Sequence, residues 1–144
     1  MIAVDTNLLV YAHREDSPWH TSADTQIERL SEGRVSWAIP WPCIHEFLST
    51  ITHPRVYDPP TPMETALEAV AEWLKSPSLV VLSESEGYWP ALRSLIEEGR
   101  IIGPRVHDAR IAALCQFHGV TELWSADRDF GRFPRLVVRN PLIG

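Results

Sequence analysis

Apolar and polar positions follow two rhythms along the chain. Short apolar runs bounded by turn residues read as buried strands, and stretches whose apolar side chains return every three or four residues read as helices. Ile2-Ala3-Val4 is the first strand run, and residues 8–12 behind Thr6-Asn7 suit a short helix. Ser17-Pro18 resembles a cap followed by proline in the first turn, which predicts a helix to about Leu30 that stops at Gly33. Residues 35–39 alternate and read as a second strand. Pro42 opens a helix with the stripe Trp41, Ile44, Phe47, Leu48 and Ile51, ended by His53-Pro54. The proline-rich residues 54–61 read as a loop.

The second half continues the alternation. Thr61-Pro62-Met63-Glu64 matches a capping box, for a helix expected to bury Leu67, Val70 and Leu74. Residues 79–82 read as a short buried strand. Ser83-Glu84-Ser85-Glu86 offers another capping box, ahead of a helix presenting Trp89, Leu92, Leu95 and Ile96. A helix from about Val106 to His118 is closed by Gly119, and residues 122–125 and 136–138 complete the strands. Strands that alternate with helices imply an α/β fold with a mostly parallel sheet. At 144 residues the whole chain, 1–144, is expected to be one domain.

Composition narrows the class. With 44% hydrophobic and 22% charged residues, the chain has material for a core and is not a disordered tail. No apolar run approaches the ~18 residues of a membrane span. The opening residues lack the basic segment of a secretory signal. Cys43 and Cys115 make no disulfide framework, so a reducing cytoplasm is the expected compartment. Nineteen acids against thirteen bases give a net charge of −6, which at face value argues against a nucleic-acid partner. Lys75 is the lone lysine; arginine suits bidentate phosphate contacts, although a codon bias explains the skew better.

The positions of the acids change that picture. Glu64, Glu68 and Glu72 repeat along one helix and read as a solvated face, but five acids do not fit so easily. Asp5 directly follows the first strand, where open α/β sheets bind ligands and where an aspartate also serves as a helix N-cap. Asp108 heads a stripe of Ile111, Ala112 and Cys115; a charge there needs a partner, and the first turn of a helix also favours it. Glu46 sits beside the apolar stripe of its helix, the usual place of a solvated glutamate. Asp127 and Asp129 follow a strand end, as Asp5 does, in a segment that also reads as a turn. Carboxylates gathered in one crevice would raise one another's pKa unless a cation intervened. All-oxygen ligands favour Mg²⁺ or Mn²⁺ over Zn²⁺, and such a site holds a phosphate and activates water for in-line attack.

Residues 1–12, from Met1 through Asp5-Thr6-Asn7 to Ala12, resemble the opening motif of PIN-domain nucleases. Glu46 resembles their second acid, Asp108-Ala109-Arg110-Ile111-Ala112-Ala113 their third motif, and Ser125-Ala126-Asp127-Arg128-Asp129-Phe130 their fourth. The likeness spans essentially the whole chain, and the length suits the VapC toxins of bacterial toxin–antitoxin pairs. It implies a three-layer α/β/α fold and a Mg²⁺-dependent endoribonuclease. It places Asp5 and Asp108 as core metal ligands, completed by Glu46 and by Asp127 or Asp129, between which the motif does not choose. Thr6 or Ser125 would orient a neighbouring carboxylate. The resemblance also implies an RNA substrate, a VapB-like antitoxin and a homodimer.

Other chemistry is weakly represented. The six histidines form no zinc spacing, there is no glycine-rich phosphate loop, and the two cysteines read as core. Trp37, Trp73 and Trp124 fit apolar patterns, whereas Trp19, Trp41 and Trp89 open helices and suit partly exposed positions. Two further readings stay open: a Mg²⁺-dependent phosphoryl hydrolase of small substrates, and a non-catalytic interaction module whose acids only cap helices. Setting aside the five candidate acids leaves 14 against 13 bases, a nearly neutral domain around one acidic pocket. Arg105, Arg110, Arg128, Arg132, Arg135 and Arg139 then face only Glu122 among nearby acids outside the pocket.

Overall fold

The computed structural model describes residues 1–143, the side chain of Arg132 excepted. Its strands are β1 (Ile2–Val4), β2 (Trp37–Pro40), β3 (Leu79–Leu82), β4 (Glu122–Trp124) and β5 (Val137–Arg139). They form one sheet in the order β3-β2-β1-β4-β5. All four neighbouring pairs are parallel, with Ala3 opposite both Ala38 and Leu123. The helices are α1 (Thr6–His13), α2 (His20–Glu32), α3 (Trp41–Ile51), α4 (Met63–Leu74), α5 (Tyr88–Gly99) and α6 (Val106–Phe117). Three-residue and five-residue 3-10 turns add Gly103–Arg105 and Arg128–Arg132.

Helices α1 to α4 pack consecutively on one another or on α1, and α5 packs on α6. The chain steps from β1 to β2 to β3 in one direction and then crosses to β4 and β5 on the other side. Right-handed crossovers therefore put the two helical groups on opposite faces, giving three α/β/α layers. Burial on both faces explains why the central strands are continuously apolar. All four residues of β2 are buried, as are Ala3, Val4, Leu123 and Trp124.

Several local expectations are corrected. The strand at 79–82 is an edge strand in which only Leu82 is buried, and Val80 is exposed. Leu67 and Leu74 are 52% and 45% exposed, so α4 rests on Val70, as expected, and on Ala66. Neither capping box forms. Thr61 Oγ accepts from Arg14 Nη1 (3.2 Å), and α4 starts behind Pro62 without a side-chain cap. Helix α5 starts only after Gly87, whose φ of +90° lies in the left-handed region open to glycine. The Ser83 carbonyl meanwhile accepts from His118 Nε2 at 2.9 Å. Ser17 does meet the Trp19 amide (3.1 Å), but α2 begins at His20. Trp19, Trp41 and Trp89 are exposed, Trp37 and Trp124 are core, and Trp73 is half-buried. Cys43 and Cys115 are buried free thiols.

Candidate active site

The reversal of strand order lies between β1 and β4, and parallel sheets open a crevice at such a point beyond their strand ends. The Asp5 amide extends the ladder by donating to the Trp124 carbonyl (2.9 Å), and the Ser125 amide does the same to Arg139 (3.0 Å). Asp5 and Ser125 are thereby fixed side by side where their strands end. The Asp5 carboxylate is almost wholly enclosed. Its Oδ2 accepts from Ser125 Oγ (2.7 Å) and Asn7 Nδ2 (3.4 Å), and its Oδ1 accepts from the Thr6 amide (2.8 Å) and the Cys43 thiol (3.6 Å). The helix-cap and crevice readings of Asp5 thus hold together: one oxygen caps α1 while the side chain lines the cavity.

Burial pushes the Asp5 carboxyl up to about 6, against the hydrogen bonds that favour its charged form. Burial also holds the Cys43 thiol far above its ordinary range, so it remains an S–H donor. No cation neutralises Asp5 directly among its described hydrogen-bond partners.

A cavity of about 310 Å³ joins Asp5, Glu46, Asp108 and Asp127. Glu46 reaches it from α3, and Thr6 Oγ donates to Glu46 Oε2 (2.9 Å). Asp108 comes from the first turn of α6, where it makes no capping hydrogen bond and is half-buried. Carboxylate oxygens of Asp108, Asp127 and Asp129 all lie within 4.8 Å of one another. Burial and then the charges of Asp127, Asp129 and Glu46 raise the Asp108 carboxyl, with Arg105 opposing them. Asp127 accepts from the Asp129 amide (2.8 Å), and its own amide donates to Ser125 Oγ (3.0 Å). Asp129 is exposed, does not line the cavity, and faces Arg105 at 3.9 Å.

The donor set fits a hard divalent cation. Three carboxylates converge, the nearest described cation is Arg105 beside the outermost of them at 3.9 Å, and every candidate ligand atom of the cluster is an oxygen. The sequence reading missed three supporting groups. Asn7 ties both strand ends together, accepting from the Ala126 amide (3.1 Å) and donating to Ser125 Oγ (3.3 Å). Its signal was its place two residues after Asp5. Tyr11 and Tyr57 also line the cavity, and no local pattern marked either.

The expected arginine surplus is smaller than the sequence implies. Arg110, Arg135 and Arg139 pair with Glu84, Glu98 and Glu122, two of them brought in from distant segments. Arg128 makes no ion pair among the described residues, and the side chain of Arg132 lies outside them.

Comparison with known proteins agrees with this geometry. The family model for the PIN domain matches residues 2–136. Ribonuclease VapC43 of Mycobacterium tuberculosis is 37% identical over 144 residues, covering 100% of this chain and 97% of the relative. Ribonuclease VapC48 of the same organism is 33% identical over 140 residues, 97% of each chain. The crystal structure of VapBC2 from Rickettsia felis, bound to a DNA fragment from their promoter, superposes with a TM-score of 0.67 at 23% identity. It covers 97% of this chain and 98% of that one. The chain belongs to the PIN-domain family, among the VapC proteins.

Proposed function

We propose that this protein is a metal-dependent endoribonuclease and the toxin of a toxin–antitoxin pair. The observation that carries the reading is the acid cavity at the β1–β4 strand ends, where Asp5, Glu46, Asp108 and Asp127 converge with no basic side chain in the lining among the described residues. The relatives named ribonucleases support RNA as the substrate class.

Asp108 and Asp127, with Asp5 below them, would hold Mg²⁺ or Mn²⁺, and Glu46 would complete the site at its mouth. When bound, the cation supplies positive charge against the scissile phosphate and lowers the pKa of a water poised for in-line attack. Ser125, Thr6 and Asn7 hold the carboxylates in place, so little reorganisation is needed when charge develops. Asp129 does not line the cavity, but its carboxylate belongs to the cluster with Asp108 and Asp127 and would reach the same cation from the outer side, with Arg105 3.9 Å away. An antitoxin that offers a cation to this pocket would neutralise it, and a homodimer follows from the family resemblance. No helix among the described residues is long and apolar enough to cross a membrane.

The test is cleavage of single-stranded RNA by the purified protein. Cleavage should need Mg²⁺ or Mn²⁺, stop in EDTA, and fall at least a hundredfold in Asp5→Ala and Asp108→Ala proteins that keep their circular dichroism. Full activity in EDTA, or in both variants, overturns the reading. Hydrolysis of a nucleotide monoester in place of RNA would favour the small-substrate phosphoryl hydrolase.

A further inference from the structure

A second cavity, larger than the first at about 480 Å³, opens beside the acid cavity. Tyr11 and Asp127 line both, so the two are continuous along one wall. The second differs in chemistry. Tyr11 and Trp19 form an aromatic wall, their ring centroids 5.1 Å apart and the rings tilted by 39°. The Trp19 indole is 46% exposed, yet its place is fixed. The Ser17 hydroxyl accepts from the Trp19 amide, and His20 Nδ1 lies 3.0 Å from the Tyr11 carbonyl, which clamps the start of α2 to α1. Val138 and Leu142 add apolar surface. Arg128 lines the cavity directly after Asp127 and has no ion-pair partner among the described residues.

We propose that this second cavity binds one unpaired nucleobase of the RNA substrate, the base adjoining the phosphate held at the acid cavity. The proposal rests on the ribonuclease reading and deepens it. Three features select that occupant. A nucleotide beside a scissile phosphate must lie within one residue of the acids, and the shared wall of Tyr11 and Asp127 gives that adjacency. Its base is a flat, largely neutral ring, which an aromatic wall takes up without regard to hydrogen-bond pattern. Its own phosphate is an anion, and Arg128 is a cation that lines the cavity directly after Asp127. Asn140 supplies an edge contact: its Oδ1 accepts from the Leu142 amide (3.0 Å), which leaves its NH₂ group to donate to a base carbonyl or ring nitrogen. A base stacked inside a duplex cannot enter, so the subsite also selects single-stranded or looped RNA.

The experiment uses the intact protein with Mg²⁺. Cleavage sites are first mapped by sequencing the products of a randomised single-stranded RNA pool. The preferred RNA is then remade with an abasic residue at each position around the cut. Wild type should lose about tenfold in kcat/KM at one position adjoining the cut and little elsewhere. Trp19→Ala should lose about tenfold on the intact RNA and be indifferent to that abasic residue. Trp19→Phe should restore most of the loss, and Arg128→Ala should raise KM on every substrate. Trp19 and Arg128 are exposed, and thermal melting of each variant within a few degrees of wild type checks the fold. A flat abasic profile with normal RNA cleavage overturns the subsite alone. Trp19→Ala cleaving as wild type does while losing a protein partner assigns the cavity to a peptide, and also overturns it. Wild type that cleaves no RNA with any divalent metal overturns the ribonuclease reading and the subsite with it.

Discussion

At the scale of residues, Asp5 combines two opposed demands. Its carboxylate accepts hydrogen bonds on both oxygens and is still destabilised as an anion by burial. A carboxyl raised from 3.8 to about 6 binds its proton more tightly in the folded protein. Its contribution to stability is therefore fully present below about pH 4 and is lost as pH rises through 6. At neutral pH the metal-free protein carries a cost on the order of 3 kcal/mol from this group. Asp5→Asn should then be more stable than wild type in EDTA at pH 7, by about 1–3 kcal/mol after imperfect hydrogen bonding is allowed for. The advantage should shrink toward pH 4, as urea unfolding at the two pH values would show. Mg²⁺ should stabilise wild type at pH 7 and leave Asp5→Asn nearly unchanged, because a ligand stabilises only the state that binds it.

Asp5 and Asp108 stood out in the sequence because each sits where a charge is out of place, after a strand or at the head of an apolar stripe; Asp127 and Asp129 repeat the first placement, and Glu46 was picked out by its order in the family pattern. The structure brings Asp5, Glu46, Asp108 and Asp127 to one cavity and leaves Asp129 beside it. The groups that hold them were less visible. Cys43 reads as core and is core, and its thiol nonetheless points a proton at Asp5. A buried polar contact of that kind leaves no periodic trace.

Among elements, the segment at 54–61 shows where local reading stops. Its prolines mark a loop, but its position depends on Arg14, which follows α1. Arg14 Nη1 donates to the Pro59 carbonyl (2.9 Å), its other nitrogens hold Asp16, and its guanidinium lies 4.2 Å from the centre of the Tyr57 ring. That clamp sets Tyr57 at the rim of the acid cavity. It also takes the Thr61 hydroxyl, the group that the capping pattern had assigned to α4. The capping box failed because a tertiary partner outbid the local one. Arg14→Ala should destabilise the protein by about 1–3 kcal/mol, the range for charged hydrogen bonds lost together with a cation–π contact. Its amides at Val56 and Tyr57 should exchange with solvent markedly faster, read by hydrogen exchange. Arg14→Lys should rescue little of this, since one ammonium cannot serve a carbonyl, a hydroxyl and a carboxylate fork at once. The apolar pattern placed the strands and helices well because their rhythm is local. Edge exposure at β3, and at Leu67 and Leu74 of α4, depends on which elements lie alongside, and sequence spacing does not report that.

For the molecule as a whole, the net charge of −6 is arranged unevenly. Four candidate acids share one cavity, while Arg110, Arg135 and Arg139 are paired with glutamates elsewhere. Arg105 also faces Asp129, so among the described arginines of the last forty residues Arg128 is the one without an ion pair near the cavity. RNA binding should therefore be weak without divalent metal and should depend only shallowly on salt. A plot of log affinity against log salt, measured in Ca²⁺ with uncleaved RNA, should have a slope of about −1 to −2. A slope near −6 would mean a basic surface that the ion pairs on the molecule do not leave free.

The pairing of β1 with β4 has a further consequence in time. A ribosome would add Asp5 well before its partner, for the Ser125 hydroxyl that holds it comes 120 positions later. Until β4 is made, β1 lacks the neighbour on one side, and Asp127 does not yet exist. A nascent chain can form α1 and β2 early, but the acid cavity cannot close while synthesis is under way. Such distant pairing slows folding, because its entropic cost precedes its reward. A protein proposed to cut RNA is, by this order of assembly, harmless to the message that encodes it until β4 has been made.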